Sequence, residues 1–124
     1  MRLRSSLLVL TVVAVLGTTG CGPDCDDLKK EAKELKDTYA ACSSGDACVV
    51  VDMYSLAGAN NCLAAFQCSA ALREGSDLDA FGSRARAIAS DFEDCSECTM
   101  AGCVDPSQLH AECNGSTGRC ELVP

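Results

Sequence analysis

Apolar and polar positions repeat with a helical period in two stretches of the chain. In the first, residues 24–42, apolar or small residues recur every three or four positions and so share one face. Acidic residues crowd its beginning, where the helix dipole favours negative charge. The pattern predicts an amphipathic helix held to the rest of the domain by a cysteine at each end. Its apolar face consists of Cys25, Leu28, Ala32, Leu35, Tyr39 and Cys42.

The second helical stretch runs from Ser76 to Asp94. Ser76, followed three residues later by Asp79, resembles an N-cap at the beginning of a helix. Arg84 and Arg86 fall on the polar side, where we expect solvent exposure. The alternative is that these two side chains bind a carboxylate or phosphate group. The predicted buried face consists of Leu78, Phe81, Ala85, Ile88, Ala89, Phe92 and Cys95.

Three short stretches predict strands. Residues 48–53 form a β-branched run bounded by turn residues, which is typical of a buried strand. Residues 109–114 and 118–123 flank an Asn-Gly turn and predict a closing hairpin. Each arm of the hairpin carries a cysteine, Cys113 and Cys120, which pair with each other or with other elements. The predicted fold is α+β: a small disulfide-rich domain with two main helices packed on a short, mostly antiparallel sheet of these three strands.

The segment from Cys62 to Leu72 is ambiguous. Its composition favours a helix, whereas its position between turns favours an extended segment. In a helix, Cys62 and Cys68 would point to different sides and could not bond to each other. Each would then reach a different element.

The beginning of the chain has the pattern of a secretory signal peptide. A basic start is followed by an apolar run over residues 7–16 and by small residues at 17–20. A transmembrane helix is the alternative, but it needs about 20 apolar residues, roughly twice this run. We therefore expect residues 1–20 to be removed, leaving residues 21–124 as a single domain.

The junction at Cys21 resembles the lipobox of bacterial lipoproteins, with the small residues Thr19 and Gly20 before the cysteine. In that family the cysteine is diacylated and becomes the first residue. Thr18 stands where the family usually carries an aliphatic residue, so cleavage without a lipid is the alternative. The resemblance implies an exported protein, lipid-anchored to the periplasmic or outer-surface face of the cell envelope.

The cysteine count supports lipidation. Eleven cysteines in a secreted chain leave one unpaired, and a lipid on Cys21 would account for it. Disulfides suit a chain whose core is thin, with no Trp, two Tyr and three Phe. Ten cysteines allow about 945 pairings, so the sequence does not choose among them. The ten predicted disulfide cysteines are Cys25, Cys42, Cys48, Cys62, Cys68, Cys95, Cys98, Cys103, Cys113 and Cys120.

The charge excludes one class of partner. The chain has a net charge of −8, and removal of the two arginines in residues 1–20 leaves −10. Nucleic acid is therefore excluded, because phosphate binding needs a basic surface. Acidity keeps a monomer soluble, and any membrane attachment depends on the lipid rather than on charge.

Cys95 and Cys98 form a Cys-x-x-Cys motif, the most specific candidate for a chemical function in the sequence. A thiol oxidoreductase would need it at the beginning of a helix, where the dipole lowers the thiol pKa. Here it follows a helix, among Glu93, Asp94 and Glu97, whose charges disfavour the thiolate. Disulfides are favoured because thiols outside the cytoplasm are oxidised. A zinc site is the further alternative, from Cys95, Cys98, Cys103 and either His110 or Cys113.

No catalytic constellation is evident. Asp105, Ser107 and His110 lie too close in one loop to converge as a triad, and His110 is expected on a strand surface. No calcium-loop spacing is present either. We therefore predict a non-enzymatic binding domain without metal or cofactor, whose protein or envelope partner is unknown. The alternatives are a thiol oxidoreductase using Cys95 and Cys98, and a secreted protease inhibitor whose reactive segment is 99–109.

The cysteine layout resembles small cysteine-rich lipoproteins of predatory and social soil bacteria. The shared elements are the Cys-Val-Val-Val-Asp strand, the Cys-x5-Cys segment, the helix running into Cys-x-x-Cys, and the closing Cys-Asn-Gly-Ser-Thr-Gly-Arg-Cys-Glu-Leu hairpin. The resemblance spans about residues 42–123. It implies an architecture and an envelope location, and no activity comes with it.

Overall fold

The computed structural model describes residues 24–100 and 102–124, so the predicted signal peptide (1–20) and the predicted lipidation site, Cys21, lie outside the described residues. Within these ranges no helix is long and apolar enough to span a bilayer. The α+β fold class is confirmed. The elements in chain order are α1 (Cys25–Ala40), β1 (Cys48–Asp52), α2 (Met53–Ala57), β2 (Ser69–Arg73), α3 (Leu78–Phe92), β3 (His110–Asn114) and β4 (Arg119–Val123), with 3-10 turns at Ala64–Phe66 and Pro106–Gln108.

Helix α1 begins where the sequence predicts. The Asp24 side chain accepts hydrogen bonds from the backbone N–H groups of Asp26 and Asp27, at 3.0 and 3.4 Å. Such a cap satisfies two of the donors that a helix leaves unpaired at its beginning. Leu28 and Ala32 are buried on the face that packs against α3.

Helix α3 begins one residue later than the N-cap prediction. Asp77 is the cap, since its carboxylate accepts from the Ala80 N–H at 3.0 Å. Ser76 instead donates its hydroxyl to the carbonyl of Arg73 and closes the turn after β2. The ring of Phe81 packs edge-on against Tyr39 of α1, with 5.0 Å between centroids. The Ser76 cap was therefore wrong, although the helix itself is present.

The sheet differs from the prediction. Two separate antiparallel pairs form, β1 with β2 and β3 with β4, instead of one sheet of three strands. The partner of β1 is β2, which lies in the segment that the sequence left ambiguous. Ala70, Ala71 and Leu72 of β2 are buried. The two pairs lie against each other, with β1 beside β3 and β2 beside β4.

The predicted strand 48–53 ends one residue early. The Asp52 carboxylate accepts from the Tyr54 N–H and the Ser55 hydroxyl, both at 3.0 Å, and so caps α2. Met53 begins α2 and is fully buried. The chain therefore turns from strand to helix at Asp52.

The core is small and relies on few large side chains. All three phenylalanines are almost completely buried, and alanine supplies many of the remaining core positions. A core of this kind buries little apolar area per residue. The largest buried side chains are Phe66, Phe81, Phe92, Met53, Leu63, Leu72 and Ile88.

Five disulfides cross-link this core, which confirms the disulfide-rich character of the chain. They join residues 35 to 72 positions apart. Bonds of this span restrict the unfolded chain strongly. The predicted attachment of α1 at both ends is confirmed by the bonds of Cys25 and Cys42. The pairs are Cys25–Cys95, Cys42–Cys113, Cys48–Cys120, Cys62–Cys98 and Cys68–Cys103.

Candidate functional site

The most exposed large apolar side chains of the described residues cluster in the connection between α3 and β3. Met100 is 54% exposed and Val104 is 55% exposed. The segment that carries them, residues 98–100 and 102–104, lies outside regular secondary structure, and we name it the anchored loop. Two exposed apolar side chains, four residues apart in one irregular segment, make the anchored loop a candidate contact surface.

Two disulfides hold the anchored loop at its ends. Cys98 bonds to Cys62 and Cys103 bonds to Cys68, with Cα–Cα distances of 4.6 and 5.2 Å. Cys62 and Cys68 lie on either side of a 3-10 turn whose Phe66 is fully buried. Both ends of the loop are therefore fixed to one short, well-packed segment.

A buried amide supports the loop between these anchors. Gln67 is 4% exposed, and its Nε2 donates to the carbonyl oxygen of Thr99 at 3.0 Å and to that of Asn61 at 3.2 Å. The same nitrogen lies 3.9 Å from the sulfur of Met100. The hydrogen bond to Asn61 is buried and the one to Thr99 is partly shielded from water, so Gln67 holds the loop backbone next to Met100.

A second buried amide positions Gln67. Asn61 is 6% exposed, and its Nδ2 donates to the carbonyl oxygens of Gly58 and Phe66, at 2.7 and 2.9 Å. These bonds close the chain between α2 and the 3-10 turn into a compact unit. The loop therefore rests on a preformed polar network in the interior of the domain.

Cys68 has an unusual backbone conformation. Its φ of +64° lies in the left-handed region, which costs a non-glycine residue about 1–3 kcal/mol. Its carbonyl still accepts the Met53 N–H at 2.9 Å, and β2 begins at the next residue. The conformation lets the chain enter β2 while the sulfur of Cys68 reaches Cys103.

A cleft of about 410 Å³ lies beside the loop, between α1, the 3-10 turn and Thr99. Lys29 pairs with Glu97 at its rim, and this hydrogen bond raises the pKa of Lys29. The cleft meets the loop at Thr99, and its lining is largely apolar. Its lining residues are Lys29, Lys33, Cys62, Leu63, Ala64, Ala65, Phe92, Glu97 and Thr99.

The structure does not bring Cys95 and Cys98 together as a redox pair. Cys95 bonds to Cys25 at the beginning of α1, whereas Cys98 bonds to Cys62. A Cys-x-x-Cys oxidoreductase exchanges electrons through a bond between its own two cysteines. The sulfurs of Cys95 and Cys98 instead belong to two different disulfides.

The residues of the alternative zinc site are not assembled either. Every cysteine of that set belongs to a disulfide, and zinc is bound by thiolates. Among the described residues, one cysteine cluster has metal-like spacing: Cys42, Cys48 and Cys120, whose sulfurs lie within 4.8 Å of one another. Two neighbouring disulfides occupy all three of these sulfurs.

The loop residues considered for a triad have other roles. Asp105 accepts from the N–H and the hydroxyl of Ser107, at 2.9 and 2.8 Å, and caps the second 3-10 turn. These hydrogen bonds lower the pKa of Asp105. His110 is exposed at the beginning of β3, as predicted, with its Nε2 3.3 Å from the carboxylate of Glu112.

The two arginines of α3 are exposed, as predicted, and both connect elements. Arg84 pairs with Glu31 of α1. Arg86 donates from Nη1 to the carbonyl oxygen of Leu56 in α2, at 3.2 Å. Both arginines therefore have partners within the domain.

The role of Gln67 was not predicted from the sequence. It is a lone amide in an apolar segment, directly before a cysteine, which is an unusual place for a polar side chain. That position was the available hint of an internal hydrogen-bonding role. Comparisons with family models, curated proteins and solved structures found no match.

Proposed function

We propose that residues 21–124 form a non-enzymatic domain of the bacterial cell envelope that binds a partner protein through the anchored loop. The signal peptide would export the chain, and a lipid on Cys21 would hold it at the membrane. Five disulfides favour an oxidising location outside the cytoplasm.

The anchored loop carries this proposal. Protein interfaces combine a few apolar anchor residues with a polar rim, and Met is enriched at their centres. Met100 and Val104 supply such anchors on an acidic domain. Disulfides at Cys98 and Cys103 flank Met100, Cys103 directly precedes Val104, and Gln67 bonds the carbonyl of Thr99, so these contacts limit the conformational entropy lost on binding.

The location of the loop suits a partner close to the membrane. Cys95 is bonded to Cys25, and Glu97 pairs with Lys29, so the segment leading into the loop follows the first turns of α1. Cys21 precedes α1 by only a few residues. A lipid on Cys21 would therefore hold the loop near the bilayer surface.

The test of the anchor is the intact mass of the protein from the membrane fraction, taken before and after reduction with thiol alkylation. We expect a diacylated chain beginning at Cys21, with ten alkylatable thiols that appear only after reduction. The matched variant Cys21→Ser should lose the lipid and leave the membrane fraction. An unlipidated chain, or thiols that react before reduction, would contradict the proposal.

The binding face is tested separately, with a photo-crosslinking amino acid at Val104 and, as the control, at Leu122. Leu122 is also apolar and exposed, but it lies on β4. We expect one defined protein adduct from position 104 and none from position 122. Equal adducts from both positions would show that the loop is not the contact surface.

A further inference from the structure

We infer that the cleft beside the anchored loop binds a straight-chain fatty acid of medium length, with the ammonium group of Lys33 at its carboxylate. The described lining of the cleft belongs to α1, the first 3-10 turn, the end of α3 and residues 97–99. Three observations carry the inference: the volume of the cleft, its apolar walls, and the lysines at its rim on an acidic chain. This site is independent of the proposed function, because the cleft holds a ligand whether or not the loop binds a protein.

The first step concerns size. The cleft has a volume of about 410 Å³, within the range of about 300–1,000 Å³ that is typical of sites for small ligands. At about 30 Å³ for each non-hydrogen atom, the volume that a water molecule takes in the liquid, the cleft holds roughly 14 such atoms. Dodecanoate, with twelve carbons and two oxygens, has this size, and decanoate is slightly smaller. A phospholipid with two acyl chains is too large.

The second step concerns the walls. Leu63 and Phe92 line the cleft and belong to the core, where they are 1% and 2% exposed. The disulfide between Cys62 and Cys98 joins the 3-10 turn side of the cleft to the segment that carries Thr99, so the walls are formed before a ligand binds. A hydrocarbon chain gains from such walls, and each methylene that they bury strengthens binding by about two- to fourfold.

The third step concerns charge. Lys29 and Lys33 lie one helical turn apart at the rim of the cleft, on a chain with a net charge of −8. Glu97 pairs with Lys29. The Nζ of Lys33 lies 3.8 Å from the carboxylate of Asp37, which is too far for a hydrogen bond, and its side chain is 76% exposed. Lys33 therefore has donors to offer a ligand, and the described lining, with two lysines and one glutamate, favours a carboxylate over an amine.

The experiment measures the dissociation constant of decanoate for the oxidised protein isolated from cells that export it. The protein is carried in phosphatidylcholine nanodiscs, since detergent would compete for the cleft. Equilibrium dialysis fixes the free ligand concentration, and the ¹³C methyl signals of Ala64 and Ala65, which line the cleft, report binding there. We expect saturable binding of decanoate, a loss of about two- to fourfold for each methylene removed, and binding of decylamine that is weaker by about tenfold.

The charge-reversal variant Lys33→Glu tests the role of Lys33 through a change of preference rather than a loss of binding. Decylamine should now bind more tightly than decanoate, because the described lining then has two carboxylates and one lysine. The matched control is Lys30→Glu. Lys30 is on the same helix and is 74% exposed, but it is not among the described lining residues of the cleft. This control should keep the preference for decanoate.

A second pair of variants tests whether the hydrocarbon chain enters the cleft. Ala64 is exposed at its wall, so Ala64→Trp should fill the space and weaken decanoate binding by about tenfold or more, the loss expected when two or more methylenes are no longer buried. Ala59 is also an exposed alanine but is not among the described lining residues. Ala59→Trp should leave the dissociation constant within about twofold, as expected for a surface substitution. The Ala65 methyl signal reports binding in both variants.

Four outcomes would overturn the inference. Three are the absence of a saturable shift at Ala64 and Ala65, equal affinities for decanoate and decylamine, and a Lys33→Glu variant with an unchanged preference. The fourth is binding of decanoate by the Cys21→Ser variant alone, since the acyl chain on Cys21 would then be the occupant of the cleft in the unaltered protein. None of these outcomes depends on the adduct at position 104, which tests the loop as a protein contact.

Discussion

At the scale of single residues, the buried amide of Gln67 makes the most specific prediction. Gln67→Leu keeps the approximate volume but removes the donor to the carbonyl oxygens of Asn61 and Thr99. Because a buried acceptor left without its partner is destabilising, we expect a loss of about 1–3 kcal/mol in the free energy of unfolding. Urea unfolding of the oxidised protein measures this loss.

The matched control for this prediction is Gln108→Leu. Gln108 has the same side chain, but it is exposed at the end of the second 3-10 turn. A surface substitution of this kind should change the stability by no more than about 0.5 kcal/mol. Equal losses in the two variants would mean that the buried hydrogen bonds of Gln67 contribute nothing specific.

At the scale of elements, periodicity was sufficient for α1 and α3 and insufficient for β2. The apolar stripes of the two helices are long enough to be read from sequence alone. The strand Ser69–Arg73 is rich in alanine, which has low strand propensity. It is extended because it pairs with β1, and a pairing between distant segments leaves no local pattern to detect. The hydrogen bond from Gln67 to the Thr99 carbonyl could not be predicted for the same reason, since the two residues are distant in sequence and meet only in the folded chain.

Helix α3 contains a glycine whose replacement should stabilise the protein. Gly82 is buried in the middle of the helix, and an added Cβ would lie 3.4 Å from Leu56 and 3.5 Å from Arg86, which is ordinary contact. Glycine is unfavourable in a helix interior, so we expect Gly82→Ala to raise the free energy of unfolding by about 0.5–1 kcal/mol. Urea unfolding of the oxidised protein is the measurement.

A second glycine gives the opposite expectation for the same change. Gly75, in the turn between β2 and α3, has a φ of +82° with open space around it. Gly75→Ala should therefore destabilise by about 1–2 kcal/mol through backbone strain alone. If both variants lost stability, α2 would have to pack more closely on α3 than the Gly82 distances indicate.

At the scale of the whole molecule, the disulfides explain why so small a core suffices. Each of the five connects distant parts of the chain, and such a bond typically contributes about 2–4 kcal/mol. The sequence predicted a disulfide-rich domain but could not choose the pairs. Cys113 and Cys120 show why, because they lie directly opposite each other in the hairpin and yet bond to Cys42 and Cys48.

This arrangement predicts a disulfide exchange during oxidative folding. Cys113 and Cys120 are seven residues apart, whereas the native bonds join residues 71 and 72 apart. Closing a loop ten times shorter is favoured by roughly 2 kcal/mol, so the bond across the hairpin should form first. Packing of the hairpin on β1 then brings Cys42, Cys48 and Cys120 within 4.8 Å, where a thiolate can attack the hairpin bond and displace one of its sulfurs.

The measurement is acid trapping of folding intermediates, followed by peptide mapping. We expect Cys113–Cys120 among the early species. Attack by the Cys42 thiolate would convert it to Cys42–Cys113 and release the Cys120 thiolate, and the glutathione disulfide of the refolding buffer would then oxidise Cys120 and Cys48 to the second native bond. The double variant Cys42→Ser, Cys48→Ser should stop at the hairpin bond, because it lacks the attacking thiols. If Cys42–Cys113 and Cys48–Cys120 appeared early and no intermediate contained Cys113–Cys120, the core would assemble first and bring the hairpin cysteines next to their native partners. The order of the bonds therefore decides whether the hairpin folds as an independent unit or only on the surface of the finished core.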